Sequence, residues 1–522
     1  MLQGKSEENL SGQMDDLTLT RREFLKQASS VAAVVAVNGV SGLSLLADNA
    51  LTGTSGGMCS GRVLNKLTGK PIGGVLVSDG VSIVRTDHAG RYALKISPHV
   101  RPIVYITTPD GYRLDPDGFW KRVNFRAGRA KVNFFLSPRK SVRKFTFVQV
   151  TDTHHVVGTH SPQDIATFIR DVHALKPAPE FVIATGDLPM GVDGEKKEGF
   201  DRLDKCLAMY DGFVNVFKPL KYPLLKVIGN HDCAICLPKN LPEHHKGLYR
   251  RYFGPLNYSF DYGDIHFVVL DANIDPCPIV RPGRWKDGTY DVFDKEALAW
   301  LEKDLAFQSR RKPIVLFTHQ PPYEQKNFDR LVKILSRYNF RGAFAGHWHR
   351  NNTLSERTRR GLGPFVVSGA LYGGWGGKPC SDGTWRGWRL IAVDGQDVRS
   401  CYVAIDRPYQ GAILNVNVRH RATHPISGKT EVLMDILDVD HKLTGVGCAI
   451  NGGPVVAMTP HRRTSMWCRW HAIVDASKVT NGPANLVFTP HTATKEWKYA
   501  FPVIVKNTKM ELLHPKTPSG IH

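Results

Sequence analysis

Five short polar segments, each close behind an apolar run, constrain this chain more than any other feature of its sequence. They are Asp152-Thr153-His154, Gly186-Asp187, Gly229-Asn230-His231-Asp232, His319 and Gly346-His347-Trp348-His349. The preceding runs, such as Phe145–Val150, Phe181–Ala184 and Ile314–Phe317, predict buried strands of an α/β sheet. Ligands bind beyond the carboxyl ends of such strands, so we expect the five segments to form one site.

The residue types in these segments indicate a site for two metal ions. Imidazole, carboxylate and amide ligands without a thiolate suit Zn, Mn or Fe rather than Cu(I) or an iron–sulfur cluster. Two divalent cations about 3.5–4 Å apart need a bridging ligand, and a carboxylate such as Asp187 provides one. A water between such cations loses a proton near neutral pH, and the cations neutralise charge on phosphoryl oxygens. This chemistry favours hydrolysis of a phosphate ester.

The five segments, in this order across about half of the chain, resemble the calcineurin-like metallophosphoesterase superfamily. The resemblance implies that Asp152, His154 and His349 bind a first metal ion, that Asn230, His319 and His347 bind a second, and that Asp187 bridges the two. It also implies that His231 binds phosphate and protonates the leaving oxygen, while Asp232 orients the ring of His231. Any one of these residues alone also fits a cap or a solvated loop; the interpretation depends on the whole set.

Departures from the superfamily pattern narrow the resemblance to one branch. Purple acid phosphatases have a tyrosine ligand where Met190 stands, and they lack a histidine at His154. Protein serine/threonine phosphatases have an arginine where Ile228 stands, and they lack the Gly-His-x-His ending. The chain is more similar to the branch of cyclic-nucleotide and glycerophosphodiester phosphodiesterases, and within it to secreted three-domain bacterial phosphoesterases. This favours hydrolysis of a phosphodiester over a phosphomonoester, by attack of a hydroxide that bridges the metals.

Length and turn signals divide the chain into several domains, since single cores stop growing beyond about 250–300 residues. We expect a catalytic domain over residues 142–407, where helical patterning at Asp164–Leu175 and Lys295–Leu305 lies between strand-like runs. Its expected fold is α/β, a four-layer αββα sandwich flanked by two all-β sandwich domains. The first, residues 60–138, resembles transthyretin-like or carboxypeptidase-regulatory-like modules; the second covers 409–505, before a tail at 506–522.

The first fifty residues are expected to be an export signal. Thr20-Arg21-Arg22-Glu23-Phe24-Leu25-Lys26 resembles a twin-arginine motif, and a modestly apolar stretch, Ala28–Val37, follows it. An uncleaved membrane anchor is the alternative, but Asn38 and Gly39 end that stretch well short of the ~20 residues that a span needs. The signal predicts export by the twin-arginine machinery, to the periplasm or otherwise out of the cytoplasm.

The charge of the chain bears on its partners. Its formal net charge of +21 allows steering of phosphates, anionic lipids or acidic glycans, but a generally basic envelope protein fits equally well. The Lys and Arg residues form no dense cluster, and the chain has no nucleic-acid recognition motif. We expect a phosphate-ester substrate and possible contact with the cell-envelope surface. The rival function is a non-catalytic envelope-binding protein that uses its β-sandwich domains.

Aromatic residues follow the last of the five segments. Tyr372, Trp375 and Trp385 lie in a stretch rich in Gly and Trp, which in similar proteins borders the substrate side of the metals. They are candidates for stacking on a base, a sugar or another planar group. Packing within a local loop is the equal alternative.

The nine cysteines leave at least one thiol without a partner in the same chain. The twenty-residue spacing of Cys448 and Cys468 allows a disulfide in a β-patterned region. Cys233 and Cys236, directly after the Gly-Asn-His-Asp segment, fit buried thiols first, a local disulfide second, and metal or redox chemistry last. His244 and His245 are the local candidates for completing a third metal site.

Overall fold

The computed structural model describes residues 56–97, 102–156, 158–189, 202–234, 237–273, 292–354, 362, 364–374, 380–381, 386–405, 412–416, 426–437, 443–463, 467–493, 496 and 498–507. The export signal, Cys236, Trp375, Trp385 and residues 508–522 of the tail lie outside these residues. Among the described residues, no helix has the length and apolar character that crossing a membrane requires.

The N-terminal region, residues 57–136, forms two four-stranded sheets, ordered β4-β1-β7 with β8 on β1, and β3-β2-β5-β6. Strand β4 alternates exposed and buried positions, which places Tyr92, Leu94 and Ile96 on one inward face. The strands are β1 Gly57–Asn65, β2 Leu76–Ser78, β3 Ile83–Arg85, β4 Arg91–Ile96, β5 Ile103–Ile106, β6 Trp120–Arg122, β7 Arg129–Lys131 and β8 Phe134–Leu136.

The central region, residues 144–404, is an α/β sandwich of two sheets, ordered β11-β10-β9-β18-β19 and β12-β13-β14-β15-β17-β16. The sheets face each other through aromatic rings: Phe147 lies 5.6 Å from Phe267 and 6.0 Å from Phe317 between ring centroids. The strands are β9 Lys144–Val150, β10 Val182–Thr185, β11 Leu224–Val227, β12 Tyr258–Tyr262, β13 Ile265–Val269, β14 Pro313–Phe317, β15 Asn339–Ala345, β16 Asn352–Leu354, β17 Phe365–Val367, β18 Gly387–Asp394 and β19 Asp397–Ala404.

Helices of the central region pack their apolar faces against the sheets. They are α1 Ser161–His173, α2 Leu203–Phe217, α3 Gly247–Phe253, α4 Lys295–Ala306 and α5 Phe328–Leu335, with a 3₁₀ turn at Pro322–Glu324. The two predicted helices are confirmed as α1 and α4, although α1 begins three residues early because Pro162 suits a first helical turn. Phe168 of α1 packs on Trp388 at 6.0 Å, and Asp294 caps α4 by accepting a hydrogen bond from Glu296 N.

The N-terminal and central regions share one buried apolar cluster. Val77 and Val104 of the N-terminal sheets belong to the same cluster as Phe267, Leu301 and Phe317 of the central region. Polar contacts cross the same boundary: Thr107 Oγ1 lies 2.9 Å from Ser259 Oγ, and Trp300 Nε1 donates to Ser78 Oγ at 3.2 Å. The predicted boundary near residue 140 therefore separates two sets of strands but does not separate two hydrophobic cores.

The C-terminal region, residues 412–505, forms two four-stranded sheets, β20-β21-β25-β24 and β23-β22-β26-β27. Its buried cluster, which includes Met434, Trp470 and Phe488, draws all its members from residues 426–505. Its strands are β20 Ala412–Val416, β21 Lys429–Leu437, β22 Gly445–Ile450, β23 Val456–Ala457, β24 Thr459–Arg463, β25 Trp467–Asp475, β26 Gly482–His491 and β27 Tyr499–Val505.

The disulfide that the spacing of Cys448 and Cys468 allowed is not formed. Both residues carry buried thiols in the C-terminal cluster, where Cys448 lies on β22 and Cys468 on β25, strands of different sheets. Membership of one buried cluster is not sufficient for a disulfide, because the Cβ atoms must also have a specific separation and orientation. Cys233 is also a buried thiol, and its Sγ lies 3.6 Å from Gly229 O.

Candidate metal centre

All five polar segments lie just beyond the carboxyl ends of central strands. β9, β10 and β11 run parallel, as do β13, β14 and β15, so the loops that follow them reach the same edge of the sandwich. The loop after β9 carries Asp152 and His154, and the loop after β10 carries Asp187. The loop after β11 carries Asn230, the loop after β14 carries His319, and the loop after β15 carries His347 and His349.

A first cluster brings together Asp152, His154, Asp187 and His349, all of them buried. The Nε2 atoms of His154 and His349 lie 2.9 Å apart, and His349 Nε2 lies 3.4 Å from Asp152 Oδ1. Separations near 3 Å are what two nitrogens show when each is about 2.0–2.1 Å from one metal ion. All three ligands predicted for the first metal ion therefore converge with the predicted bridge, Asp187.

A second cluster consists of Asp187, His319 and His347. His319 Nε2 lies 3.1 Å from Asp187 Oδ1 and 3.1 Å from Asn230 Oδ1. The ring of His319 is held from behind, because its Nδ1 lies 2.8 Å from Thr185 O. His347 faces the same place, with its ring centroid 5.1 Å from that of His319.

Asp187 belongs to both clusters. Its Oδ1 lies 3.1 Å from His319 Nε2, and its Oδ2 lies 3.6 Å from His154 Nε2. The two oxygens of one carboxylate therefore face histidines of different clusters. This is the geometry that a ligand bridging two metal ions requires.

The backbone at this edge is strained where the side chains converge. Asp152, His154, Asp187, His347 and His349 all have positive φ, between 38° and 72°, which non-glycine residues seldom adopt. Each such residue costs on the order of 1–3 kcal/mol, and strain of this kind concentrates at functional sites. The surrounding fold therefore holds these side chains in conformations that they would not choose alone.

Two glycines of the segments are required by close approach. A Cβ at Gly229 would lie 2.2 Å from Asp187 Oδ1 and 2.3 Å from Asp187 N. A Cβ at Gly186, where φ is +89°, would lie 2.3 Å from His319 Nδ1. Any larger residue at either position would displace Asp187 or His319.

The histidines of the centre keep its carboxylates ionised. Burial opposes ionisation of Asp152, but His349 and His319 outweigh it and lower the pKa of Asp152 to about 2. Burial likewise opposes ionisation of Asp187, and His319 and His231 hold its pKa well below the ordinary value. Both candidate carboxylate ligands are therefore negatively charged across the physiological range.

The histidines divide into two kinds. Burial lowers the pKa of His154 well below its ordinary value, and burial together with His319 lowers that of His347 to about 4. For His319, burial is outweighed by Asp187, which raises the pKa to about 9; for His349, burial is outweighed by Asp152, which also raises the pKa. A metal ion binds neutral imidazole, so loading the centre would release a proton from His319.

The donor set fits divalent metal ions. The two clusters offer imidazole nitrogens and carboxylate oxygens that lie within 4.8 Å of one another in each cluster. No cysteine belongs to either cluster in the described part of the chain, in agreement with a preference for Zn, Mn or Fe.

His231 and Asp232 occupy different places from one another. His231 N donates to Asp187 Oδ1 at 2.9 Å, and its half-buried ring stands edge-on to His154 at 4.9 Å. Asp232 is fully buried, and its carboxylate accepts from three backbone N–H groups, of Gly229 at 2.6 Å, Leu188 at 2.9 Å and Asp187 at 3.1 Å. Asp232 thus ties two ligand loops together, and its predicted part in orienting the His231 ring stays a prediction.

Of the three predicted substrate aromatics, only Tyr372 lies among the described residues. It is 7% exposed, and its ring stacks on His160 at 4.6 Å and lies 5.6 Å from His154. This burial favours the packing alternative over a stacking surface for a substrate. Trp375 and Trp385 fall outside the described residues.

A polar cluster beside the first cluster of candidate ligands was not predicted from the sequence. Asp164 Oδ1 lies 3.1 Å from Arg386 Nη2, and Asp164 Oδ2 lies 3.3 Å from His160 Nε2. His160 in turn stacks on Tyr372, so the cluster reaches the ring of a candidate ligand through one aromatic side chain. The available signal was the i, i+4 spacing of His160 and Asp164, which alone is common on helices.

His244 and His245 do not join the centre. His244 Nδ1 lies 2.7 Å from Leu237 O, and the backbone of His245 pairs with that of Ala234. Neither residue belongs to a cluster of candidate metal ligands in the described part of the chain.

Comparison with known families matches two adjoining parts of the chain. Residues 58–139 match the model described as the N terminal of calcineurin-like phosphoesterase. Residues 145–351 match the calcineurin-like phosphoesterase model, and this stretch contains all the candidate ligands.

Several curated proteins are similar to the central part of the chain. A probable glycerophosphodiester phosphodiesterase, GpdQ, of Arcobacter nitrofigilis is 28% identical over 40% of this chain and 72% of its own. The serine/threonine-protein phosphatase CPPED1 of Mus musculus is 24% identical over 47% of this chain and 74% of its own. A 3',5'-cyclic-nucleotide phosphodiesterase of Nostoc is 22% identical over 46% of this chain and 90% of its own. These relatives include both diesterases and a monoesterase.

Proposed function

Because the chain belongs to the calcineurin-like phosphoesterase family, we propose that it is a two-metal phosphodiesterase, exported from the cytoplasm, with Asp187 as the bridge between its metal ions. The family and the buried His and Asp clusters establish a metal-dependent phosphoesterase. The number of metal ions, the preference for diesters and the export are the parts that we propose.

The observation that carries the two-metal proposal is the position of Asp187, whose two oxygens face histidines of different clusters at 3.1 Å and 3.6 Å. Asp152, His154 and His349 would hold one ion, and Asn230, His319 and His347 the other. When bound, the ions supply a lowered pKa for water and neutralise charge on the phosphoryl oxygens.

The chain's own residues orient this chemistry. His231 N–H fixes one oxygen of Asp187 through the 2.9 Å hydrogen bond, and the half-buried ring of His231 lies at the surface of the cluster beside His154. We assign to that ring the proton that the leaving oxygen needs. Asp232 keeps the Gly229 and Asp187 loops at a fixed separation through its three backbone hydrogen bonds.

Replacement of the bridge tests the proposal. Asp187→Ala should abolish hydrolysis and lower the metal content of both sites, measured by elemental analysis and with bis-nitrophenyl phosphate as substrate. Asp304→Ala is the matched control, because Asp304 is equally buried but contacts His266 on the far side of the sandwich. Normal metal stoichiometry in Asp187→Ala would refute the bridging role. A higher rate on mono-nitrophenyl phosphate than on the diester would refute the diester preference.

His231 is tested by the leaving group. General acid catalysis typically contributes about 10²–10⁴-fold, and an alkoxide needs the proton far more than a nitrophenolate does. His231→Ala should therefore keep both metal ions, lose most of its rate on alkyl esters, and lose less on nitrophenyl esters. Equal losses on both ester types would make His231 a phosphate-positioning residue instead. Loss of a metal ion would make it a ligand.

Export is supported by the sequence around Arg21 and Arg22 alone. Replacing both arginines with lysine should retain the precursor in the cytoplasm of a bacterial host, as shown by fractionation and immunoblotting. Accumulation of the doubly substituted protein in the periplasm would show that another route carries it.

A further inference from the structure

A chain of buried polar side chains lies behind the second metal cluster. Lys246, Asp271, Asn273 and Gln320 are each 4% exposed or less, although none of them is a predicted ligand. Burying so many polar groups costs free energy unless each is paired. The hydrogen bonds and ion pairs among these residues therefore indicate a role other than packing.

The far end of this polar chain is a buried ion pair. Lys246 Nζ lies 2.6 Å from Asp271 Oδ2 and donates to Asn273 O at 2.8 Å. Asp271 Oδ1 accepts from both Asn273 N at 2.8 Å and Asn273 Nδ2 at 2.9 Å. Asn273 is thus held at its backbone N–H, its backbone carbonyl and its side-chain amide.

The near end reaches two loops that carry ligands. Asn273 Oδ1 accepts from Gln320 Nε2 at 2.8 Å, and Gln320 directly follows His319. Asn273 Nδ2 also donates to Ile228 O at 3.4 Å, in the loop that carries Asn230. One amide therefore connects the loops of the two ligands whose donor atoms lie 3.1 Å apart.

The first metal cluster is held by other contacts. Asp152 Oδ2 accepts from Thr151 Oγ1 at 2.8 Å, and its two oxygens accept from His347 N at 3.2 and 3.0 Å. His349 Nδ1 lies 2.7 Å from Gly373 O. The polar chain through Asn273 therefore bears on one half of the centre, and this asymmetry makes its role measurable.

We infer that Asn273, fixed by Lys246 and Asp271, is a positioning residue that sets the separation of Asn230 and His319 and thereby the affinity of the second metal ion. This inference rests on the proposed function. Outer partners of metal ligands typically contribute about 10–100-fold in metal affinity, because they fix the orientation of the ligands.

The test is a titration of metal-free protein with Mn²⁺ that resolves two dissociation constants. The constant that is lost in His319→Ala is assigned to the second ion. Asn273→Ala and Lys246→Met should raise the second constant by about 10–100-fold and change the first by less than about threefold. Electron paramagnetic resonance should show the spin-coupled Mn²⁺ pair replaced by a single Mn²⁺ at intermediate loading.

Arg251→Met is the matched control. Arg251 Nη1 lies 2.7 Å from Glu243 Oε1, in another ion pair close to α3 that includes neither Asn273 nor Gln320. This variant should lose thermal stability but keep both constants. Gln320→Met replaces the amide at similar volume and removes the hydrogen bond from Nε2 to Asn273, so it tests the connection to His319 if Asn273→Ala does not fold.

The outcomes separate the possibilities. Equal changes in both constants, no change in either, or the same change in Arg251→Met would overturn the positioning role while leaving the proposed function intact. A wild-type protein that binds fewer than two ions would instead overturn the proposed function.

Discussion

The N-terminal and C-terminal regions are both pairs of four-stranded sheets, but they relate to the rest of the protein in opposite ways. The N-terminal region completes its core with residues of the central region, including Phe267 and Leu301. The C-terminal region encloses a core of its own, between residues 426 and 505. Two regions with similar strands can therefore differ in whether they fold independently. The difference depends on whether the apolar cluster is completed by residues of the same region.

Hydrogen bonds also join the N-terminal region to the central region. Asp261 N donates to Thr108 O at 2.8 Å, Lys303 Nζ donates to Val81 O at 2.7 Å, and Arg122 Nη2 donates to Arg251 O at 2.7 Å. These bonds join backbone as well as side chains across the boundary between the N-terminal and central regions. We therefore expect residues 57–404 to unfold together, and the C-terminal region, which has a separate apolar cluster, to unfold as a second unit.

Deletion of whole regions should give the largest effect. Removing residues 58–139 should leave a central region that does not fold, because it exposes one side of the shared cluster, and hydrolysis and cooperative unfolding should both be lost. Removing residues 409–522 should leave hydrolysis and the main unfolding transition close to those of the full chain. Calorimetry and hydrolysis of bis-nitrophenyl phosphate measure both. A folded, active protein without residues 58–139 would break the comparison.

Two buried tryptophans sharpen the comparison. Trp300 is 1% exposed in the shared cluster, and Trp470 is 4% exposed in the C-terminal cluster. Each Trp→Ala change should cost about 3–5 kcal/mol in free energy of unfolding, but in different units. Trp300→Ala should lower the transition that accompanies loss of hydrolysis, whereas Trp470→Ala should create an earlier transition with hydrolysis retained. Loss of hydrolysis during the early transition of Trp470→Ala would show that the two units unfold together.

The smallest expected effect is a pH dependence near the shared boundary. His266 is buried between Asp261 and Asp304, at 2.8 Å and 2.7 Å; burial is outweighed by Asp304 and Asp261, which raise its pKa to about 9. Because the folded pKa lies above the unfolded value of about 6.5, the stabilisation is complete below that pH and is lost as pH rises through 9. It is on the order of 3 kcal/mol.

Urea unfolding between pH 6 and 9.5 measures this dependence in the unit of residues 57–404. His266→Gln should remove the part of this pH dependence that His266 contributes; His319, whose pKa is also raised to about 9, contributes equally in both proteins. His471→Gln is the control from the C-terminal region, because its ring lies 3.5 Å from Glu431 in a partly exposed pair that contributes little. A profile in which His471→Gln changes the stability of the main transition as much as His266→Gln would contradict the assignment of the pH dependence to residues 57–404.

The strands and the polar segments after them were predictable because their signals are local. β9, β10 and β14 follow from β-branched and aromatic runs, and a glycine next to Asp, Asn or His at the end of a strand marks a tight loop. Convergence of the loops follows from the parallel strand order. The residue types of the centre could therefore be predicted from the sequence, whereas the distances between them could not.

The features that could not be predicted depend on contacts between distant residues. Asn273 and Gln320 are unremarkable in sequence, and only the folded loops bring their amides to 2.8 Å. The hydrogen bonds from the backbone N–H groups of Gly229, Asp187 and Leu188 to Asp232 were likewise not predictable, because they join loops that are distant in sequence. The shared core was missed because turn residues near position 140 mark the end of strands, not the end of a cluster.

The shared cluster has a consequence for synthesis on the ribosome. The N-terminal strands emerge first, yet the side chains that cover them, such as Phe267, Phe317 and Phe344, are translated only after some two hundred further residues. At a translation rate of about 5–20 residues per second, the apolar faces of these strands stay exposed for roughly 10–40 s before those side chains are made. The C-terminal strands complete their own core as soon as they are released. Chaperone demand should therefore fall on the first strands made, and a slower ribosome would prolong it.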